Sequence, residues 1–116
     1  MIVGIGIDAV ELQRIEEIID HRPKFVERVL TPEEYAVFMT LQRKRQIEFL
    51  GGRFACKEAF SKAYGTGIGE VGFQDIEVLP QKNGKPEIKQ SIFEGYVHVS
   101  ITHTDKEALA QVILEK

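Results

Sequence analysis

The chain opens on an alternation: from Ile2 to Asp8 the apolar residues Val3, Ile5 and Ile7 are separated by Gly4, Gly6 and Asp8. That two-residue period predicts a strand with one buried face. Its other face is almost bare. Glycines weaken a strand but admit a close backbone or ligand, and Asp8 stands at the strand's end. A first helix follows, with Leu12, Ile15 and Ile19 on one stripe and Arg14, Ile18 and Arg22 on another, ended by Pro23. Thr31-Pro32-Glu33-Glu34 starts a second helix to about Thr40, threonine capping, proline at the first helical position and Glu34 completing a capping box.

Ile47 to Tyr64 reads as a long helix with two apolar arcs, one through Phe49, Cys56, Ala59, Phe60 and Ala63, the other through Ile47, Leu50 and Phe54. Such a helix is central and covered on more than one side. Gly51-Gly52 weakens its first turns and Gly65 caps its end. Strands are predicted at Phe73 to Leu79, Glu87 to Lys89 after a turn at Asn83-Gly84, Tyr96 to Thr102, and Ala108 to Leu114. In the third, Val97, Val99 and Ile101 face one way and His98, Ser100 and Thr102 the other. Helices in the first half and paired strands in the second predict an α+β domain over residues 1–116, with a largely antiparallel sheet.

Composition narrows the classes. With 43% hydrophobic and 28% charged residues in 116, the chain has the balance of one compact domain. It contains no stretch near the ~20 apolar residues of a membrane span and no signal-peptide pattern, so a soluble, cytoplasmic protein is expected. One cysteine, Cys56, forms neither an internal disulfide nor a thiolate zinc cage. A net charge of -3 disfavours a general nucleic-acid binder. All six arginines nevertheless lie between Arg14 and Arg53.

Glu58 and Lys62 are one helical turn apart and share a face. By themselves they describe an ordinary surface ion pair. The apolar surroundings of that helix and the position of Asp8 suggest more: two carboxylates in a partly buried site repel unless one is protonated or a cation binds. Hard oxygen ligands favour Mg²⁺. The loop Gly65-Thr66-Gly67-Ile68-Gly69 is either a simple connection or a place where backbone N–H groups meet a phosphate. It follows its helix, whereas Walker and Rossmann loops precede theirs, so a phosphate here requires cations such as Lys62, Arg53 or Lys57. Ser100, His103 and Asp105 are too crowded at one strand end for a hydrolytic triad. Cys56 is expected to be buried rather than reactive.

Three strings, GIGIDAVELQRI, RFACKEAFSKAYGTGIG and HVSITHT, with EFLGG before the second, give the whole chain a resemblance to the holo-acyl-carrier-protein synthase family of the 4'-phosphopantetheinyl transferase superfamily. Its length is similar to that of the small bacterial type. Cys56 is a mild departure, standing where the family favours alanine or another small residue. The resemblance implies transfer of phosphopantetheine from coenzyme A to a serine of apo acyl carrier protein, releasing adenosine 3',5'-bisphosphate, in fatty acid biosynthesis. It implies Asp8 and Glu58 as Mg²⁺ ligands and Lys62 as the third catalytic residue, stabilising the leaving phosphate; the base is Glu58 or a metal-bound water. Lys44, Arg45, Arg53, Lys62, Gly65 and Thr66, with Gly84, Pro86, His103 and Thr104, are the implied coenzyme A contacts. It also implies a homotrimer in which a neighbour supplies the Gly84-Pro86 turn and His103. Against an acidic, helical carrier it places Arg14, His21, Arg22, Lys24 and Arg28, with Ile18 and Phe25 as apolar contacts. The competing readings are a noncatalytic nucleotide or coenzyme A binding module and a purely structural oligomer.

Overall fold

The computed structural model describes residues 1–116. Ten residues, Ile2–Glu11, form β1 and run three residues beyond Asp8. Helix α1, Leu12–His21, follows directly, burying Leu12, Ile15 and Ile18. Pro23 ends α1 but also opens a helix that the sequence pattern did not predict, α2, Pro23–Val29. A proline at the first helical position is favourable because its missing N–H has no partner there anyway. The second predicted helix is α3, Pro32–Thr40, and its capping box is present, with Thr31 and Glu34 exchanging backbone-to-side-chain bonds.

The long helix α4 is Arg43–Tyr64, so it starts four residues before the predicted Ile47 and takes Arg43, Lys44 and Arg45 into its first turn. Gly65 caps it with φ +97°. In the second half, Phe73–Asp75 is a 3-10 turn, and the strand predicted there is confined to β2, Ile76–Pro80. Strands β3 (Pro86–Gln90), β4 (Tyr96–His103) and β5 (Glu107–Glu115) complete the chain.

The main sheet is antiparallel, in the order β1-β5-β4, while β2 and β3 form a separate antiparallel hairpin. Helix α4 lies across the inner face of the main sheet, and the core forms between them around Leu50, Ala55, Phe60, Val112 and Leu114. The glycines of β1 explain how closely the layers approach. A Cβ at Gly6 would come within 1.9 Å of the Ala59 carbonyl oxygen, and one at Gly4 within 2.1 Å of that of Ala63.

This reverses the expected burial of β1. The bare glycine face is the inner one, whereas Val3, Ile5 and Ile7 point outward and are 48, 59 and 60% exposed. Beside them in register lie Ile113 and Gln111 of β5. Val97, Val99 and Ile101 of β4 do pack toward the core, as their alternation predicts.

Candidate active site at the β1–α4 crossing

Close contact between β1 and α4 places Asp8 against the helix. Asp8 follows Gly6 by one strand period and so shares its inward face; it pairs in register with buried Ala110. Its Oδ1 accepts a hydrogen bond from Lys62 Nζ at 2.9 Å, and the same ammonium donates to the Ile7 carbonyl at 3.1 Å. Glu58, one turn earlier on α4, is half-buried. Burial pushes its carboxyl pKa up, the negative charge of Asp8 pushes it further, and Lys62 and Arg14 pull it back. Asp8, Glu58 and Lys62 therefore form one cluster.

The donor set suits Mg²⁺. That ion takes one or two carboxylates, keeps several waters and uses substrate phosphates for the remainder. No group of three or more His, Cys, Asp or Glu side chains forms a metal cage in the chain, so the fitting arrangement is a cation shared between two carboxylates and an outside ligand. A cation between Asp8 and Glu58 also relieves the part of the Glu58 pKa rise that comes from Asp8.

The other implied residues are not all near this cluster. Lys44, His103 and Thr104 line an open cleft of about 1050 Å³ at the opposite end of α4. His103 Nδ1 lies 3.5 Å from Glu48, which also meets Arg45 at 3.7 Å. Glu48 lines this cleft and was not singled out from sequence, although its place one turn after Arg45 was available as a signal. From Glu48 to Glu58 the helix climbs about 15 Å. The cleft is also acidic, lined by Glu11, Glu16, Glu48, Asp105 and Glu107 against Lys44 and Lys106. Within one chain, Lys44, His103 and Thr104 lie apart from the carboxylate pair, whereas Lys62 lies against it.

Several expectations are corrected. Lys57 cannot meet a phosphate: it is fully buried and donates to Glu34 Oε1 and the Val29 carbonyl, both at 2.6 Å. Arg53 is taken up by the fold, its guanidinium 3.9 Å from the Phe49 ring centroid and its Nε donating to the Val78 carbonyl at 2.9 Å. The glycine loop does not offer its first amides to an anion, because those of Gly65, Thr66 and Gly67 all donate to the Ser61 carbonyl. Ile18 is 7% exposed and belongs to the core, so it offers no apolar surface to a carrier. Cys56 is buried as expected, and burial pushes its thiol pKa up to about 12.

The basic surface is better organised than its sequence suggested. Phe25, Phe54 and Phe73 pack edge-on and tilted against one another. The guanidinium of Arg22 stacks on Phe25 and that of Arg14 on Phe54. This aromatic platform joins the two arginines, and Arg14 is close enough to the cluster to act on Glu58. His21, Lys24 and Arg28 are exposed on the same α1–α2 segment.

Residues 4–113 match the sequence profile of the 4'-phosphopantetheinyl transferase superfamily. The chain belongs to that family. Among curated members it is 63% identical over 115 residues to a holo-[acyl-carrier-protein] synthase of Enterococcus faecalis, covering 99% of this chain and 98% of the relative. Among solved structures it is similar to a Bacillus anthracis holo-(acyl-carrier-protein) synthase in complex with CoA (3',5'-ADP), with a TM-score of 0.93 and 55% identity over 98% of this chain and 96% of the other. A Helicobacter pylori synthase in complex with coenzyme A aligns with a TM-score of 0.83 and 33% identity, covering 96% of this chain and 99% of that one. The superfamily's α+β fold is thus present throughout this transferase, with the crossing of β1 and α4 as its most chemically organised feature.

Proposed function

We propose that this phosphopantetheinyl transferase moves the 4'-phosphopantetheine group of coenzyme A to a serine hydroxyl of apo acyl carrier protein, in support of fatty acid biosynthesis, with residues 1–116 acting as one domain. The observation that carries this reading is the Asp8–Glu58–Lys62 cluster, two carboxylates and an ammonium at one partly open point. Asp8 and Glu58 would hold Mg²⁺, which when bound supplies positive charge to the coenzyme A pyrophosphate.

The chain's own groups do the rest. The serine oxygen bonds to the phosphorus bearing the pantetheine arm, and the bond from that phosphorus to the bridging oxygen breaks. Glu58, on the face of α4 beside Asp8 and Lys62, is the chain's own group placed to accept the serine proton. The bridging electron pair leaves with adenosine 3',5'-bisphosphate, and Lys62 stabilises the developing charge and donates to the leaving oxygen. Arg14, Arg22, Lys24 and Arg28, with His21 and Phe25, steer an acidic carrier to the adjacent surface.

The site is completed in a homotrimer. Two observations support this: the coenzyme A contacts Lys44, Arg45, His103 and Thr104 lie a long way along α4 from the carboxylates, and Val3, Ile5 and Ile7 present an uncovered apolar sheet face. In the proposed assembly one subunit supplies Asp8, Glu58, Lys62, Gly65 and Thr66, and a neighbour supplies His103 and its Gly84-Pro86 turn. No helix is long and apolar enough to cross a membrane, and the cytoplasm, where coenzyme A and carrier meet, is the proposed compartment.

Mass spectrometry of apo carrier incubated with the protein, coenzyme A and Mg²⁺ tests the activity. The expected result is covalent addition of phosphopantetheine; binding of coenzyme A without addition identifies a binding module instead.

A further inference from the structure

The hairpin β2–β3 is not part of the main sheet, yet the middle of β2 is held by an unusual arrangement of charge. Both backbone polar groups of Val78 are bound by side chains. Its N–H donates to Glu34 Oε2 at 2.6 Å, and its carbonyl accepts from Arg53 Nε at 2.9 Å. Glu34 is itself fixed by Lys57 Nζ at 2.6 Å and by the Thr31 N–H at 2.8 Å. Arg53 and Lys57 are one turn apart on α4 and share a face. Thus α4 grips one residue of β2 from both sides, directly through Arg53 and through the Lys57–Glu34 pair.

The turn of the hairpin has no such support. At Gly84, with φ +85°, no atom lies within 4 Å of where a Cβ would stand, and residues 80 to 85 are exposed. The turn is closed only by its own bonds, between Gln81 and Lys85, from Gly84 to Gln81, and from the Lys85 N–H to Asn83 Oδ1. With a rise of about 3.3 Å per residue, the strand beyond Val78 passes a tilt there directly to the turn. A buried ion pair offers little stability over an apolar replacement, so its presence here calls for a role in fixing geometry.

We infer that Arg53, with Lys57 and Glu34, is a positioning residue for coenzyme A, acting through Val78 to aim the Gly84-Pro86 turn into the neighbouring subunit's site. This rests on the proposed shared site. Arg53 does its work in trans: it shapes the pocket served by the next subunit's Asp8 and Glu58, not the pocket served by its own.

Subunit mixing separates that role from direct phosphate binding. Arg53→Met keeps the apolar stem and removes the donor; its assembly is expected to show a KM for coenzyme A raised roughly 3- to 10-fold, the worth of one hydrogen bond, with kcat and the KM for carrier little changed. Arg53→Met subunits are then exchanged into an excess of Glu58→Ala subunits. Every surviving active helix comes from an Arg53→Met chain, but its neighbour's hairpin is now intact. The KM of the remaining activity is expected to return to the wild-type value. If Arg53 serves its own subunit's site, the KM stays raised and the inference is overturned, as it is if Arg53→Met alone leaves the KM unchanged. A Glu58→Ala and His103→Ala mixture tests the shared site itself: failure to recover activity despite demonstrated exchange rejects that reading and the inference with it. Should Arg53→Met fail to fold, Arg53→Lys, which keeps a donor of shorter reach, is read by the same two mixtures.

Discussion

Asp8 and Glu58 carry the proposed chemistry with like charges at one point, and the Glu58 pKa is raised first by burial and then by the charge of Asp8. Asp8→Ala and Glu58→Ala are each expected to lower Mg²⁺-dependent transfer by about 10²-fold or more while the chain stays folded, since neither carboxylate is part of the apolar core. Metal titration of each variant is the check; unchanged activity and unchanged Mg²⁺ dependence would sink the ligand assignment. Cys56 behaves oppositely. With its thiol pKa raised from 9.0 to about 12, the folded chain holds that proton more tightly than the unfolded chain. Its contribution to stability is therefore complete below pH 9.0 and is lost as pH rises toward about 12. Between those values the wild type should lose stability more steeply than Cys56→Ala, read by thermal melts of both across that range. Native alkylation at pH 8 should be slow and become fast only in denaturant.

Among the elements, β1 and α4 depend on each other more than on any propensity of their own. Gly6→Ala sets a Cβ 1.9 Å from the Ala59 carbonyl, so either the strand or the helix must move. The expected cost is roughly 1–3 kcal/mol, seen as a lower Tm, and transfer should fall further than stability because Asp8 moves with the strand. The α1–α2 segment acts differently, through charge. Arg22→Glu should weaken carrier capture while leaving coenzyme A affinity near wild type, and added salt should weaken wild-type capture. Parallel binding titrations decide this, and a loss confined to coenzyme A would reassign Arg22. The caps at Thr31 and Gly65 were readable from sequence because capping depends on a few adjacent residues. The α2 helix was not readable: Pro23 marks either the end of one helix or the first position of another, and only packing of Val26 and Val29 into the core settles which.

For the whole molecule, the uncovered row of Val3, Ile5 and Ile7 leads to an assembly prediction. Ile5→Glu places a charge on the outward sheet face without disturbing the inner one, and is expected to dissociate the proposed trimer into folded, nearly inactive monomers. Sedimentation and circular dichroism check both halves of that outcome, and full activity in a demonstrated monomer would remove the need for a shared site. The same variant should leave carrier binding largely intact, because the arginine platform on Phe25 and Phe54 lies within one chain.

The elements, their order and the Glu58–Lys62 face follow from local sequence, since a helix turn, a cap or a strand alternation is set by residues within a few positions of one another. The resemblance to the transferase family likewise rests on contiguous strings. What only the tertiary structure decided is which face of each element is inside. On β1 the alternation was legible but its sense was not, because apolar side chains ordinarily mark the buried face, whereas here the glycines do so by letting α4 come closer than any side chain allows. The same limit explains Lys57, Arg53 and Ile18. Sequence gives a lysine beside Glu58 no sign of being buried, because burial of its charge depends on Glu34, which lies far away in the chain and reaches it only after α3 and α4 have packed.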